Sequence, residues 1–197
     1  PWDDIEITDI CEAAGISLAD FREHFPSKGA VLGALSRRID LEVLRATTED
    51  LAGEPVRERL FDVLMRRIDA MAPYKAALRR IRFALRGELM SMAALNQVAL
   101  NSMRFMLGAA GVSTEGPLGL LKLQGAVIAF SNTVETWLDD DDPDLARTMA
   151  RLDRELRRGE RVIERAEDVR RVTAPLRAIV QAAFDGRERM RRRGQDR

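Results

Sequence analysis

The sequence predicts an all-α fold, and three observations carry it. Apolar residues recur three and four apart along most of the chain, as one face of a helix requires. Sustained alternation of β-branched residues, the mark of a half-buried strand, is absent. Glycine, proline and capping residues fall at helix-sized intervals. Together they predict about nine helices and no sheet. The 197 residues suffice for one large domain or a small one joined to a larger, and 46% hydrophobic residues can fill a sizeable core.

Taken in order, Ile7, Ile10 and Ala14 form a short stripe that Gly15 ends, with Cys11 expected on the core side. Ser17 predicts the N-cap of the next helix, and Asp20 completes a capping box. Phe21 and Phe25 lie one turn apart on that helix, and Ile16 is expected to plug the space between the pair. Pro26-Ser27 breaks and restarts the chain, with Ser27 as N-cap. The longer helix that follows turns Val31, Leu32, Leu35, Ile39 and Val43 inward and ends near Gly53. Pro55 to about Met71 carries Leu60, Val63, Leu64 and Ile68. Pro73 to about Arg86 is shorter and basic, and Leu89 to Ala110 is rich in methionine and alanine. Pro117 to Leu138 is apolar almost all round, which predicts burial on more than one side. Pro143 to about Ala166 is charged, with Leu145, Met149, Leu152 and Leu156 along one face, and a last helix runs from about Asp168 to Arg193.

Composition excludes several classes of chemistry. Formal net charge is zero, so any nucleic-acid signal must come from local patches. The single cysteine forbids an intrachain disulfide and fits a reducing, cytoplasmic setting. The single histidine, His24, excludes a metal site built on several histidines and a Ser-His-Asp triad elsewhere. There is no glycine-rich phosphate loop, no visible signal peptide, and no apolar run near the roughly 18 residues a membrane span needs. No catalytic set converges, so neither an enzyme, a cofactor nor a metal is expected. In the acidic run "LDDDDPDL", Asp142 is expected to cap a helix with Pro143 at its first position and Asp144 favouring the positive end of the dipole.

Two short helices joined by Gly15-Ile16-Ser17 predict a helix-turn-helix, with Ser17 to His24 as its recognition helix. The words "ITDICEAAGIS" and "HFPSKGAVLGAL" resemble the TetR family of bacterial transcriptional repressors over residues 5 to about 40. The resemblance implies a DNA-binding head, residues 1–45, and a ligand-binding and dimerisation domain, residues 46–197. It also implies a further helix ahead of position 1. By the same resemblance Ser17, Leu18 and Ala19 lie closest to the bases, and Arg22, His24 and Lys28 position the head on phosphates. The sequence departs from the family pattern at Ala19, Asp20, Phe21, Arg22 and Glu23. Residues 1–40 also hold four bases (Arg22, Lys28, Arg37, Arg38) against eight acids (Asp3, Asp4, Glu6, Asp9, Glu12, Asp20, Glu23, Asp40), which weakens phosphate attraction.

Met90, Met92, Met103, Met106 and Phe105 fall on one helix, and the next brings Phe130 and Trp137. These residues suit either an ordinary core or a pocket for a small apolar ligand, and the resemblance favours the pocket. Asn96, Gln97, Asn101 and Asn132 are candidates for its directional contacts. The segments near 117–138 and 143–166 are the expected homodimer faces, pairing two heads on one operator. The tail, residues 170–193, is basic and amphipathic, suited to packing on the body or to an anionic membrane surface. The stretch "TVETWLDDDDPDLARTMARLDREL" is similar to the ubiquinone-biosynthesis lipid-binding proteins of TetR-like fold. That similarity implies the alternative of a lipid- or quinone-binding protein without DNA.

Overall fold

The computed structural model describes residues 4–45, 53–84 and 89–193, with side chains for these except 83–84, 89–92, 94, 170 and 172–193. Every regular element among the described residues is helical: α1 (Ile7–Ala14), α2 (Leu18–His24), α3 (Lys28–Arg45), α4 (Val56–Met71), a 3-10 turn (Ala72–Tyr74), α5 (Lys75–Ala84), α6 (Leu89–Ala109), α7 (Gly119–Leu138) and α8 (Ala146–Arg193). The chain divides into two units, Pro1–Gly159 and Glu160–Arg197. Of the second unit the backbone is helical to Arg193. The tail's side chains beyond Arg171 lie outside the described residues.

The helix boundaries follow local chemistry. Glu6 and Asp9 form a reciprocal capping box on α1, and Ser17 and Asp20 form another on α2. Gly15 ends α1 in the left-handed region at φ 66°, a conformation glycine adopts without a Cβ penalty. Phe25 leaves α2 in an extended conformation, as a residue before proline must, and Ser27 Oγ accepts from the Ala30 amide to start α3. The predicted end of α3 near Gly53 falls on residues 46–52, outside the described residues.

The core joins α3, α4, α6, α7 and the start of α8. Ile39, Val43, Val63, Leu64, Ile68, Met103, Met106, Leu123, Val127, Phe130, Trp137, Leu152 and Leu156 are buried in one cluster. Burying each large side chain stabilises the fold by about 1.5–3 kcal/mol. Between α1 and α2 the space is filled by Cys11 and Phe21, both buried, with the Phe21 and Phe25 rings 5.4 Å apart.

Four expectations are corrected. Ile16 is 39% exposed and does not plug the helix pair; the larger Phe21 ring takes that space. The two predicted C-terminal helices are one, because no breaker stands between Ala166 and Asp168. Met149 faces outward, and Thr148, Leu152, Glu155 and Leu156 form the buried face of α8. Asp142 and Pro143 do not open that helix. They lie in a turn ahead of it, where Asp142 Oδ1 accepts from the Asp144 amide at 3.0 Å. The helix starts three residues later, behind Leu145 at φ 50°, and its cap is Asp140: Oδ2 accepts from the Thr148 amide at 3.0 Å and the Thr148 hydroxyl at 2.7 Å. Asp140 and Thr148 are both buried, so this cap is internal.

Candidate functional site

Ser17, Leu18, Ala19, Arg22 and His24 share α2 and its cap, and Lys28 opens α3. Ser17 Oγ donates to Asp20 Oδ2 at 2.6 Å and accepts from the Asp20 amide at 3.1 Å. The Ser17 hydroxyl first, and then the Ser17 amide, which donates to Asp20 Oδ2 at 3.0 Å, hold the Asp20 carboxyl below its ordinary range. The Ser17 hydroxyl is therefore committed to capping. Leu18, 55% exposed, and Ala19 stand open beside it. Arg22 Nη1 donates to the Pro26 carbonyl at 3.1 Å. His24 Nδ1 lies 2.8 Å from the Asp20 carbonyl; a carbonyl only accepts, so this contact places the ring proton on Nδ1. Lys28 Nζ donates to the Ile5 carbonyl at 2.8 Å, joining the start of α3 to the segment ahead of α1. Each polar member of the set thus has a partner within the chain.

A cavity of about 450 Å³ lies between α3, α4, α5, α6 and α7. That volume lies in the range of small-molecule sites, roughly 300–1,000 Å³. Of the predicted pocket residues, Met103 and Phe130 line it. Met106 and Trp137 are buried in the core instead, and Phe105 is 58% exposed. The Met90 and Met92 side chains lie outside the described residues. Asn96 lines the cavity, whereas Gln97 and Asn101 are exposed and bond to each other at 3.3 Å. Asn132 does not line it; its carbonyl accepts from the Thr136 hydroxyl.

The floor of the cavity was not anticipated. Arg67 of α4 is buried there, ion-paired to Asp40 of α3, with Nη2 donating to Ser36 Oγ at 3.1 Å. Ser102 of α6 donates to Asp40 Oδ1 at 2.8 Å. The Arg67 guanidinium also lies 5.5 Å from the centre of the Phe130 ring, within cation–π range. Burial pushes the Arg67 guanidinium down from its usual value, and Asp40 draws it back up. A signal did exist: Asp40 and Arg67 interrupt the apolar stripes of consecutive helices with opposite charges.

On the cavity's other flank, α5 is tied to the end of α7. Arg82 makes a two-pronged bond to Asp139 at 2.9 and 3.0 Å, Arg79 reaches Asp141 at 2.6 Å and the Leu138 carbonyl, and Lys75 bonds the Asp140 carbonyl. Cations thereby meet the carbonyl end of the helix dipole. The carboxyls of Asp139, Asp140 and Asp141 are all held below the ordinary range, chiefly by hydrogen bonds from Arg82, Thr148 and Arg79 respectively.

Because their folded values are depressed, the unfolded chain takes up these protons first as the pH falls. Their stabilisation is complete above the unfolded carboxylate value of about 4 and is lost as the pH drops through the folded values. Asp69, raised by burial, contributes with the opposite sign. The urea midpoint is expected to fall steeply with acidification below about pH 4, and less steeply in Arg82→Ala. Parallel profiles for the two proteins would remove Arg82 from this linkage.

Among the described residues no group of three or more His, Cys, Asp and Glu could hold a metal, and no helix is long and apolar enough to cross a membrane. Compared with models of known protein families and with curated protein sequences, the chain matches none.

Proposed function

We propose that the chain is a ligand-responsive DNA-binding regulator, a repressor of the TetR type that acts as a homodimer. The observation that carries this reading is α3. Its first residue, Lys28, bonds the segment ahead of α1, while Leu32, Leu35, Ser36 and Ile39 line the cavity. One helix therefore touches both candidate sites, and a ligand that shifts its inner face also shifts the helix pair. Two heads whose spacing no longer matches successive major grooves would release the operator, a population shift driven by differential ligand affinity. Leu18 and Ala19 are the side chains offered to bases, with Arg22, His24 and Lys28 along the backbone.

The deciding measurement is fluorescence anisotropy with DNA from upstream of the chain's own gene, across a salt series, against scrambled DNA. Tight, sequence-dependent binding with a steep salt slope is expected. Lys28→Ala should weaken binding on every sequence and flatten the salt dependence by about one unit of slope. If neither changes, Lys28 makes no phosphate contact. The second reading, a lipid- or quinone-binding protein without DNA, is favoured by the acids around α2 and by the bonds that already occupy Ser17, Arg22 and Lys28. No binding at low salt selects it.

The dimer faces are supported by exposed apolar side chains on α7, Leu120, Leu121 and Ile128, and by Met149 on α8. Apolar area left open on a helix whose other face lies in the core suits a second copy. Ile128, 54% exposed, is the substitution of choice. Ile128→Arg should turn a dimer into a folded monomer in sedimentation velocity, and an unchanged mass would move the interface off α7.

A further inference from the structure

The charge balance of the cavity limits what can enter it. Two arginines stand at its wall, and each already has a carboxylate: Arg67 has Asp40, and Arg82 has Asp139. Glu135 adds a negative charge to the same lining. Among the described lining residues no surplus positive charge is left, so an ionised carboxylate brought inside would lose water without gaining a counter-ion. The rest of the wall is mainly apolar, with a few neutral polar groups among its side chains.

One of those groups is suited to orient a ligand. Ser36 Oγ accepts from Arg67 Nη2, and among the described residues its own proton is given to no acceptor. A hydroxyl whose oxygen is held by a cation is a strengthened donor. Next to it Arg67 Nε is buried without a hydrogen-bond partner, a second donor in the same cluster. Among the described lining residues donors are present, and surplus positive charge is not.

We propose that the cavity takes a neutral, apolar molecule with one hydrogen-bond-accepting oxygen, an alcohol, ketone or ester, seated on Ser36 beside the Arg67–Asp40 pair, and that it discriminates against the matching carboxylate. This rests on the cavity being the ligand site.

The test uses the full chain and displacement of the neutral dye Nile red by decanol or by decanoate, at a pH well above the carboxylate's own pKa. Decanol should displace the dye at a concentration lower by about tenfold or more, because only decanoate carries in a charge that gains no counter-ion. Ser36→Ala keeps the ion pair and should erase about that factor for decanol. Asp40→Asn leaves the Arg67 charge uncompensated. In that variant decanoate should become the tighter ligand and should raise the melting temperature, which it does not do for the parent. Ser36→Ala carries the test independently of any loss of stability in Asp40→Asn.

Decanoate binding to the parent as tightly as decanol overturns the inference, as does unchanged decanol affinity in Ser36→Ala. Either result leaves the cavity as a ligand site. Val134→Trp, which fills the cavity, separates the two claims: it should abolish dye binding, and dye binding that persists overturns the cavity reading itself.

Discussion

Gly119→Ala is expected to bring the folded chain close to unfolding. A Cβ at this position would lie 1.8 Å from the Thr114 carbonyl oxygen and 2.6 Å from its carbon. Both are backbone atoms, so no rotamer change relieves the clash. The turn that places Thr114 there is itself constrained, with Gly116 at φ 82° and the Gly119 amide donating to the Gly116 carbonyl at 3.0 Å. Yielding at this point displaces the start of α7, which carries Leu123, Val127, Phe130 and Trp137 into the core. A cost of about 3 kcal/mol or more follows, at the upper end for a single substitution. Gly125, mid-helix with nothing within 4 Å of its would-be Cβ, is the control. There alanine should stabilise by up to about 1 kcal/mol. Urea unfolding followed by circular dichroism reads both. A Gly119→Ala midpoint near the parent's would mean that the turn yields freely.

Arg67→Met should cost about 3–5 kcal/mol, the penalty of stranding a buried carboxylate. Among the described residues, Asp40 would retain only the Ser102 hydroxyl, at 2.8 Å, as a side-chain partner. The double variant Asp40→Leu/Arg67→Met should recover most of the loss, because a well-packed apolar pair is often as stable as a buried ion pair. The double-mutant cycle therefore yields a large coupling energy. If the two losses simply add, the pair is not the unit that matters. The same pair ties α3 to α4 on the cavity floor; the double variant removes both charges together, so it should still exclude a carboxylate while weakening the Ser36 donor that Arg67 holds.

Much of the helical architecture was legible because its signals are local. The Ser17–Asp20 box, the Gly15 stop, the Ser27 cap and the stripe from Leu60 to Ile68 each need only a few neighbouring residues to be read. What escaped depends on residues far apart in the chain. Asp140 caps a helix from outside its first turn, and nothing in "LDDDDPDL" says which of its aspartates turns inward. The break expected near Ala166 has no glycine or proline beneath it, and the backbone of α8 runs through. For the candidate site, Met103 and Phe130 were found because large apolar residues on facing helices tend to meet. Phe105, two positions from Met103, was misplaced because residues two apart on a helix face different ways. Ser36, Asp40 and Arg67 were passed over because polar residues read singly look solvated. Only their joint position on inward stripes gives the pair away.

The cap on α8 also bears on the order in which the chain folds. A helix nucleus is costly to form, and a local cap normally offsets part of that cost early. The first turn of α8 follows Leu145 at φ 50° and takes its cap from Asp140, at the end of α7. It gains that support only once the α7 terminus and the intervening turn are in place. The opening of α8 is thus a late event that waits for α7. Mutations at Thr148 should speed unfolding far more than they slow folding.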